Sequence, residues 1–126
     1  MSLSWSRLFP EGRGELNAEG VAFYTDVFAA LRSAGVEPLV TLYHWDLPQA
    51  LDDAYGGWLS RNVVDDFAEY ADAAFGLFPN VTRWTTFNEP LTFVGEGYGD
   101  GAGAARRRVP VSAPRRQTSR GGAAGS

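Results

Sequence analysis

Residues 36–43 read Val-Glu-Pro-Leu-Val-Thr-Leu-Tyr, and the next two residues are His44 and Trp45. The run is rich in aliphatic and β-branched residues and is shorter than a typical helix, so it predicts a strand buried on both faces. Pro38 offers no N–H to a sheet, so we place it near the start of the strand. Strands of this kind are typical of a parallel sheet that helices cover.

Two amphipathic helices flank this strand. Before it, Asn17 suits a helix N-cap, apolar residues recur with helical spacing from Val21 to Leu31, and Gly35 suits the position after the helix end. After it, Ser60 is predicted to cap a second helix, whose apolar stripe runs from Val63 to Phe78. We expect a loop between the strand and this second helix, at about residues 46–58.

Two more strands are predicted at the outer ends of this arrangement. Residues 3–7 alternate apolar and polar side chains, and residues 82–87 form a third β-rich run. Strands and helices that alternate along the chain predict βαβ units and a parallel sheet. Three parallel strands with two helices do not close a barrel, which usually takes about 250 residues, so we expect an α/β fold over residues 1–100 whose sheet edges are open.

The last 26 residues differ in composition from the rest. All 15 acidic residues lie in residues 1–100, whereas residues 101–126 contain six of the 11 arginines and no acid. This segment has no aromatic residue and no apolar periodicity, so it cannot bury enough apolar surface to offset its ordering entropy. We therefore expect a disordered Gly/Ala/Arg-rich tail. Its arginines could bind a polyanion weakly, but they indicate no specific nucleic-acid site.

Composition also excludes several classes of protein. The chain contains no cysteine, so disulfides and thiolate metal sites are excluded. No apolar run approaches the roughly 20 residues that span a bilayer, so we predict no membrane partner. The first residues lack the basic and apolar segments of a secretory signal. The sequence predicts neither a localisation nor an oligomeric state.

Polar side chains with catalytic chemistry follow each predicted strand. Arg7 ends the first strand, His44 and Trp45 follow the second, and Asn88 and Glu89 follow the third. The carboxyl ends of parallel strands lie at one edge of the sheet, which is where active sites of α/β proteins are built. Three strands that agree on one edge make a stronger prediction than any single residue.

Four segments resemble successive signatures of family 1 glycoside hydrolases, in the order of that family. They read Ser-Trp-Ser-Arg-Leu-Phe-Pro (4–10), Thr-Leu-Tyr-His-Trp-Asp-Leu-Pro (41–48), Gly-Gly-Trp (56–58) and Thr-Thr-Phe-Asn-Glu-Pro (85–90). The resemblance covers residues 2 to about 98 and then stops where the composition changes. It implies a (β/α)8 barrel, of which this chain supplies about strands two to four. It also implies retaining hydrolysis of β-glucosides or related small glycosides.

The resemblance implies a role for five residues. Glu89 matches the acid/base, which protonates the leaving oxygen and later deprotonates water, and which must therefore hold its proton near neutral pH. Asn88 matches the residue that hydrogen-bonds the sugar 2-hydroxyl, His44 a ligand of the sugar, and Trp45 a wall of the sugar subsite. Arg7 matches an arginine that pairs with the nucleophile and keeps it ionised. No metal or organic cofactor is implied, because two carboxylates and a water suffice for this chemistry.

The same resemblance places essential parts of the family site outside this chain. The family's first strand would precede Met1, which falls at an interior strand position, and the nucleophilic carboxylate belongs to a later strand. We therefore expect the isolated chain to be inactive. The alternative is a non-catalytic truncated remnant whose basic tail binds polyanions weakly. For Glu89, the structural alternative is a carboxylate at a helix start before Pro90.

Overall fold

The structure is a computed structural model that describes residues 1–99, so the predicted tail over residues 101–126 lies outside the described residues. Two strands and five helices follow one another within the described residues. They are α1 (Trp5–Leu8), α2 (Ala18–Ser33), β1 (Leu39–Tyr43), α3 (Gln49–Tyr55), α4 (Asn62–Leu77), β2 (Arg83–Phe87) and α5 (Pro90–Val94). A 3₁₀ turn (Gly57–Leu59) precedes α4, and a π-helical turn (Gly95–Gly99) follows α5.

The two strands form a parallel pair, as predicted. Leu39 is opposite Arg83 and Tyr43 is opposite Phe87. On the other side of β1, Ser2 forms a single parallel bridge with Thr41. The described residues therefore contain three parallel segments in the spatial order 1–3, β1, β2. Within residues 1–99, β2 has β1 as its one strand partner, which leaves an open edge as expected of a partial barrel.

The predicted strand over residues 3–7 is wrong. Only residues 1–3 run beside β1, where the Leu3 N–H donates to the Thr41 carbonyl at 2.9 Å. At Ser4 the chain turns into α1, because the Ser4 side chain accepts the Arg7 N–H and acts as an N-cap. Trp5 and Leu8 are both fully buried, so the apolar spacing that resembled a strand belongs to one turn of helix.

Helix α2 begins and ends where the sequence predicts. The Asn17 side chain accepts the Glu19 N–H at 3.2 Å, and Gly35 follows the helix with a φ of 72°, a conformation that costs glycine little. Gly20 lets α2 approach α1 closely, because a Cβ at this position would overlap the Arg7 carbonyl oxygen. This close approach fixes the distance between α1 and α2.

The segment after β1 is more ordered than the predicted loop over about residues 46–58, since it contains α3 and the 3₁₀ turn. Helix α4 begins at Asn62, and the Ser60 hydroxyl accepts the Asn62 N–H at 3.2 Å. Ser60 therefore supports the helix start, although the residue that adjoins the helix is Arg61. Sequence signals for α3 were hidden by the prolines and glycines around it.

The core lies between the sheet and helices α1, α2 and α4. The Trp5 ring stacks on Tyr70 with centroids 4.9 Å apart, and the Tyr70 hydroxyl donates to the Leu42 carbonyl at 2.7 Å. In β1, Val40 is fully buried whereas Leu39 is 55% exposed. The prediction that β1 is buried on both faces is therefore wrong at its first residue, which lies at the open end of the sheet. No helix within residues 1–99 is long and apolar enough to cross a membrane.

Candidate active site

The carboxyl ends of β1 and β2 are joined directly by backbone. The Asn88 N–H donates to the Tyr43 carbonyl at 2.9 Å, which continues the strand pairing by one residue beyond β2. The indole N–H of Trp45 donates to the Asn88 carbonyl at 2.8 Å. The structure thus brings His44, Trp45, Asn88 and Glu89 to one edge of the sheet.

Both strand ends carry a residue in the left-handed region of backbone space. Trp45 has a φ of 77° and Glu89 a φ of 44°, and within residues 1–99 they are the two non-glycine residues with positive φ. For a residue other than glycine this conformation costs of order 1–3 kcal/mol. Such strain is concentrated at functional sites, where the surrounding structure holds it.

Glu89 has an exposed side chain and lies immediately before α5. Its carbonyl accepts the Thr92 N–H at 3.0 Å, but its carboxylate caps no N–H of the helix. Within residues 1–99 the carboxylate also takes part in no ion pair. A carboxylate whose purpose was to stabilise a helix start would accept these N–H groups. The geometry therefore disfavours the structural alternative.

His44 is exposed, and its Nδ1 lies 2.8 Å from the Ser2 hydroxyl oxygen. This contact leaves Nε2 as the nitrogen that can face a ligand. The imidazole also packs edge-on against Trp45, with centroids 5.6 Å apart. Because one ring nitrogen is held, the orientation of the other is fixed as well.

Arg7 does not join this group. It lies on α1 and not at a strand end, and its guanidinium carbon is 4.4 Å from the centroid of the Phe23 ring on α2. A cation over an aromatic face is a stabilising contact in its own right. The prediction that Arg7 ends a strand is therefore wrong, and the pairing with a nucleophile that the resemblance implies stays a prediction.

Asp46 directly follows His44 and Trp45, and the sequence predicted no role for it. Both carboxylate oxygens are buried, and neither completes a hydrogen bond of good geometry within residues 1–99. Burial raises the pKa of Asp46, while the Ser4 side chain and backbone groups of Asp46, His44 and Trp5 lie close enough to oppose that rise in part. Its position three residues after the end of β1, in a Trp-Asp pair, is the sequence feature that could have indicated it.

A floor of aromatic rings supports the two strand ends. Tyr43 packs edge-on against Trp58 at 5.0 Å and against Phe93 at 5.1 Å, and Phe87 stacks on Phe67 at 4.8 Å. Burial raises the pKa of the Tyr43 phenol, so this group stays neutral in the physiological range. These ring contacts pack apolar side chains against the last residues of β1 and β2.

Within residues 1–99, a cavity lies at the opposite end of the strands. It has a volume of about 350 Å³ and is lined by residues before β1 and β2, including Val36, Pro38 and Val81. No candidate residue lines it, so it is not the candidate site. Within residues 1–99 no group of three or more His, Cys, Asp or Glu side chains could hold a metal ion.

Known proteins match this chain in sequence and in structure. Beta-glucosidase 25 of Oryza sativa subsp. japonica is 51% identical over 107 residues, which are 84% of this chain and 21% of that protein. A variant of rice Os3BGlu6 beta-glucosidase in a covalent complex with Glc has a TM-score of 0.81 and 48% identity, over 84% of this chain and 22% of the other. A Thermotoga maritima beta-glucosidase in complex with deoxynojirimycin has a TM-score of 0.82 and 40% identity, over 86% of this chain and 24% of that chain.

An α/β unit with polar residues at the carboxyl ends of parallel strands is typical of barrel enzymes. The chain belongs to glycosyl hydrolase family 1, whose profile matches residues 1–114, and it corresponds to part of the barrel of that family. It spans about a fifth of the length of the beta-glucosidase relatives it matches. The expectation that the resemblance stops near residue 98 is wrong, because the match continues past the change in composition.

Proposed function

We propose that this chain supplies the acid/base segment of a retaining β-glycosidase, corresponding to about strands two to four of the barrel. One observation carries the proposal. Glu89 is held in a left-handed conformation at the end of β2, with an exposed carboxylate that caps no helix N–H. Acid/base catalysis needs a carboxyl group that is free to contact the substrate. The carboxyl edge of a parallel sheet is where such groups are placed in barrel enzymes.

In the proposed reaction, Glu89 acts twice. Its carboxylic acid first protonates the glycosidic oxygen as the bond to the leaving group breaks, and its carboxylate then removes a proton from the water that releases the sugar. Between these steps the sugar is bound covalently to a second carboxylate. The covalent complex of the rice relative with Glc supports a route of this kind.

Three neighbours of Glu89 contribute to the proposed site. Asn88, which precedes the acid/base, hydrogen-bonds the sugar 2-hydroxyl, a contact that strengthens in the oxocarbenium-like transition state. His44 binds a sugar hydroxyl through Nε2, because Nδ1 faces Ser2. Trp45 lies beside both strand ends and lines the sugar subsite. We leave Arg7 out of the set, since its contacts run to α2.

The proposal makes the isolated chain inactive. The resemblance places the nucleophile on a strand that this chain does not contain, and acid/base assistance alone is worth about 10²–10⁴-fold. Purified chain should therefore give no turnover of aryl β-glucosides. Turnover that Glu89→Gln abolishes would contradict this part of the proposal.

The positive test is a chimera in which this chain replaces the matching segment of a complete family 1 β-glucosidase. Active chimera should lose about 10²–10⁴-fold in kcat/KM for alkyl β-glucosides on Glu89→Gln. The matched control is Glu69→Gln, since Glu69 is an exposed glutamate on α4. Equal activities of the two variants would show that Glu89 is not the acid/base.

A further inference from the structure

Three indole N–H groups within residues 1–99 donate to backbone carbonyls, and one of them joins two strand ends. Trp5 and Trp84 bind carbonyls seven and three residues away in sequence. The Trp45 indole reaches across 43 residues to the Asn88 carbonyl. It is therefore the one indole contact of the described residues that connects the turn after β1 with the turn after β2.

The position of this contact affects Glu89 directly. A peptide group is planar, so a hydrogen bond that fixes the Asn88 carbonyl also fixes the plane that contains the Glu89 nitrogen. The φ of Glu89 is the first rotation after that plane, and it has the strained value of 44°. Trp45 is itself strained, with a φ of 77°, and this turn directs its ring toward Asn88.

We propose that Trp45 is a positioning residue for Glu89: its indole N–H holds the Asn88 peptide and thereby keeps Glu89 in the left-handed conformation. This inference rests on the proposed function, because it explains how the side chain of the proposed acid/base, Glu89, is oriented. It differs from the role of a subsite wall, which an aromatic face performs without an N–H. A wall would tolerate phenylalanine, whereas the hydrogen bond would not.

The test uses the 126-residue chain, labelled with ¹³C and ¹⁵N for NMR. The Cα and Cβ shifts of Glu89 report its φ, and exchange of the Thr92 N–H reports the bond to the Glu89 carbonyl. Trp45→Phe should abolish the left-handed signature of Glu89 and speed exchange at Thr92 at least about tenfold. The matched control is Trp84→Phe, which also removes an indole-to-carbonyl bond, 3.0 Å long, and should change neither.

A second measurement covers the case in which Trp45→Phe fails to fold. In the unmodified chain, a coupling across the hydrogen bond should connect Trp45 Nε1 with the Asn88 carbonyl carbon. Absence of that coupling, or a left-handed Glu89 that survives in Trp45→Phe, overturns the inference. Equal changes at Glu89 in both variants overturn it too, since they would indicate general loosening. These NMR measurements need no catalytic turnover, so they can contradict the role of Trp45 whether or not the chimera test supports Glu89 as the acid/base.

Discussion

The Nδ1 atom of His44 lies 2.8 Å from the Oγ atom of Ser2, so the segment beside β1 orients the imidazole that follows β1. Ser2 also forms the parallel bridge to Thr41. The same residue therefore pairs with β1 and contacts the ring that follows it. His44 is the one histidine of the chain, which makes its NMR signals unambiguous.

Ser2→Ala should change the tautomer populations of His44, because it removes the partner that distinguishes Nδ1 from Nε2. The ¹⁵N shifts of the imidazole at neutral pH measure this. Ser33→Ala is the control, since the Ser33 hydroxyl donates to Ala29 within α2. Identical ring shifts in the two variants and the unmodified chain would mean that Ser2 does not orient the ring.

Gly20→Ala should destabilise the fold, because the new Cβ would overlap the Arg7 carbonyl oxygen and push α1 from α2. Overpacking of this kind costs about 1–3 kcal/mol. Gly76→Ala is the control, since Gly76 lies in α4 with nothing within 4 Å of its Cβ position, and it should stabilise by about 0.5–1 kcal/mol. Urea denaturation measures both. A Gly20→Ala variant as stable as the Gly76→Ala variant would contradict the close α1–α2 packing.

Asp46→Asn should gain stability relative to the unmodified chain as pH rises. Burial raises the pKa of Asp46 in the folded state, so the folded chain holds this proton more tightly than the unfolded chain. The free energy of unfolding therefore falls as pH rises from the unfolded value of about 3.9 through the raised folded value. The asparagine variant has no proton to lose and escapes this fall.

Urea denaturation at a series of pH values measures the difference between the two proteins. Tyr24, Tyr43 and Tyr70 lie close enough for the Asp46 charge to raise their pKa values further, so these phenols stay neutral across this range. Asp72→Asn supplies the control, because Asp72 is exposed on α4. A stability difference between Asp46→Asn and the unmodified chain that does not vary with pH would refute the effect.

Local signals made parts of the fold predictable. Asn17 and Gly35 mark the ends of α2 through capping chemistry that needs only neighbouring residues. Residues 3–7 were predicted to form a strand because the apolar residues Leu3 and Trp5 alternate with polar ones. The structure instead follows the Ser4 N-cap and the helical spacing of Trp5 and Leu8. A pattern of five residues cannot separate these two outcomes.

The sequence predicted that His44, Trp45, Asn88 and Glu89 lie at one edge of the sheet, but it did not predict their backbone conformation. Strand ends and motifs indicate His44, Asn88 and Glu89, since a parallel sheet must bring those ends together. The left-handed backbone of Trp45 depends on a bond to a residue 43 positions away, which no local pattern reveals. The burial of the Asp46 carboxylate likewise depends on α1.

The central claim is that Glu89 is the acid/base, and Glu89→Ala in the chimera tests it most directly. Hydrolysis should fall most for poor leaving groups, because these need protonation and activated aryl groups do not. Azide needs no general base, so it should attack the glycosyl-enzyme and release β-glycosyl azide.

The measurement is the hydrolysis rate of activated aryl and alkyl β-glucosides, with and without azide. We predict that Glu89→Ala slows formation of the glycosyl-enzyme about 10²–10⁴-fold for alkyl glucosides but not for activated aryl glucosides. We also predict that azide restores the turnover of the activated aryl glucosides. Equal losses on both substrate classes, with no glycosyl azide formed, would contradict the assignment of Glu89.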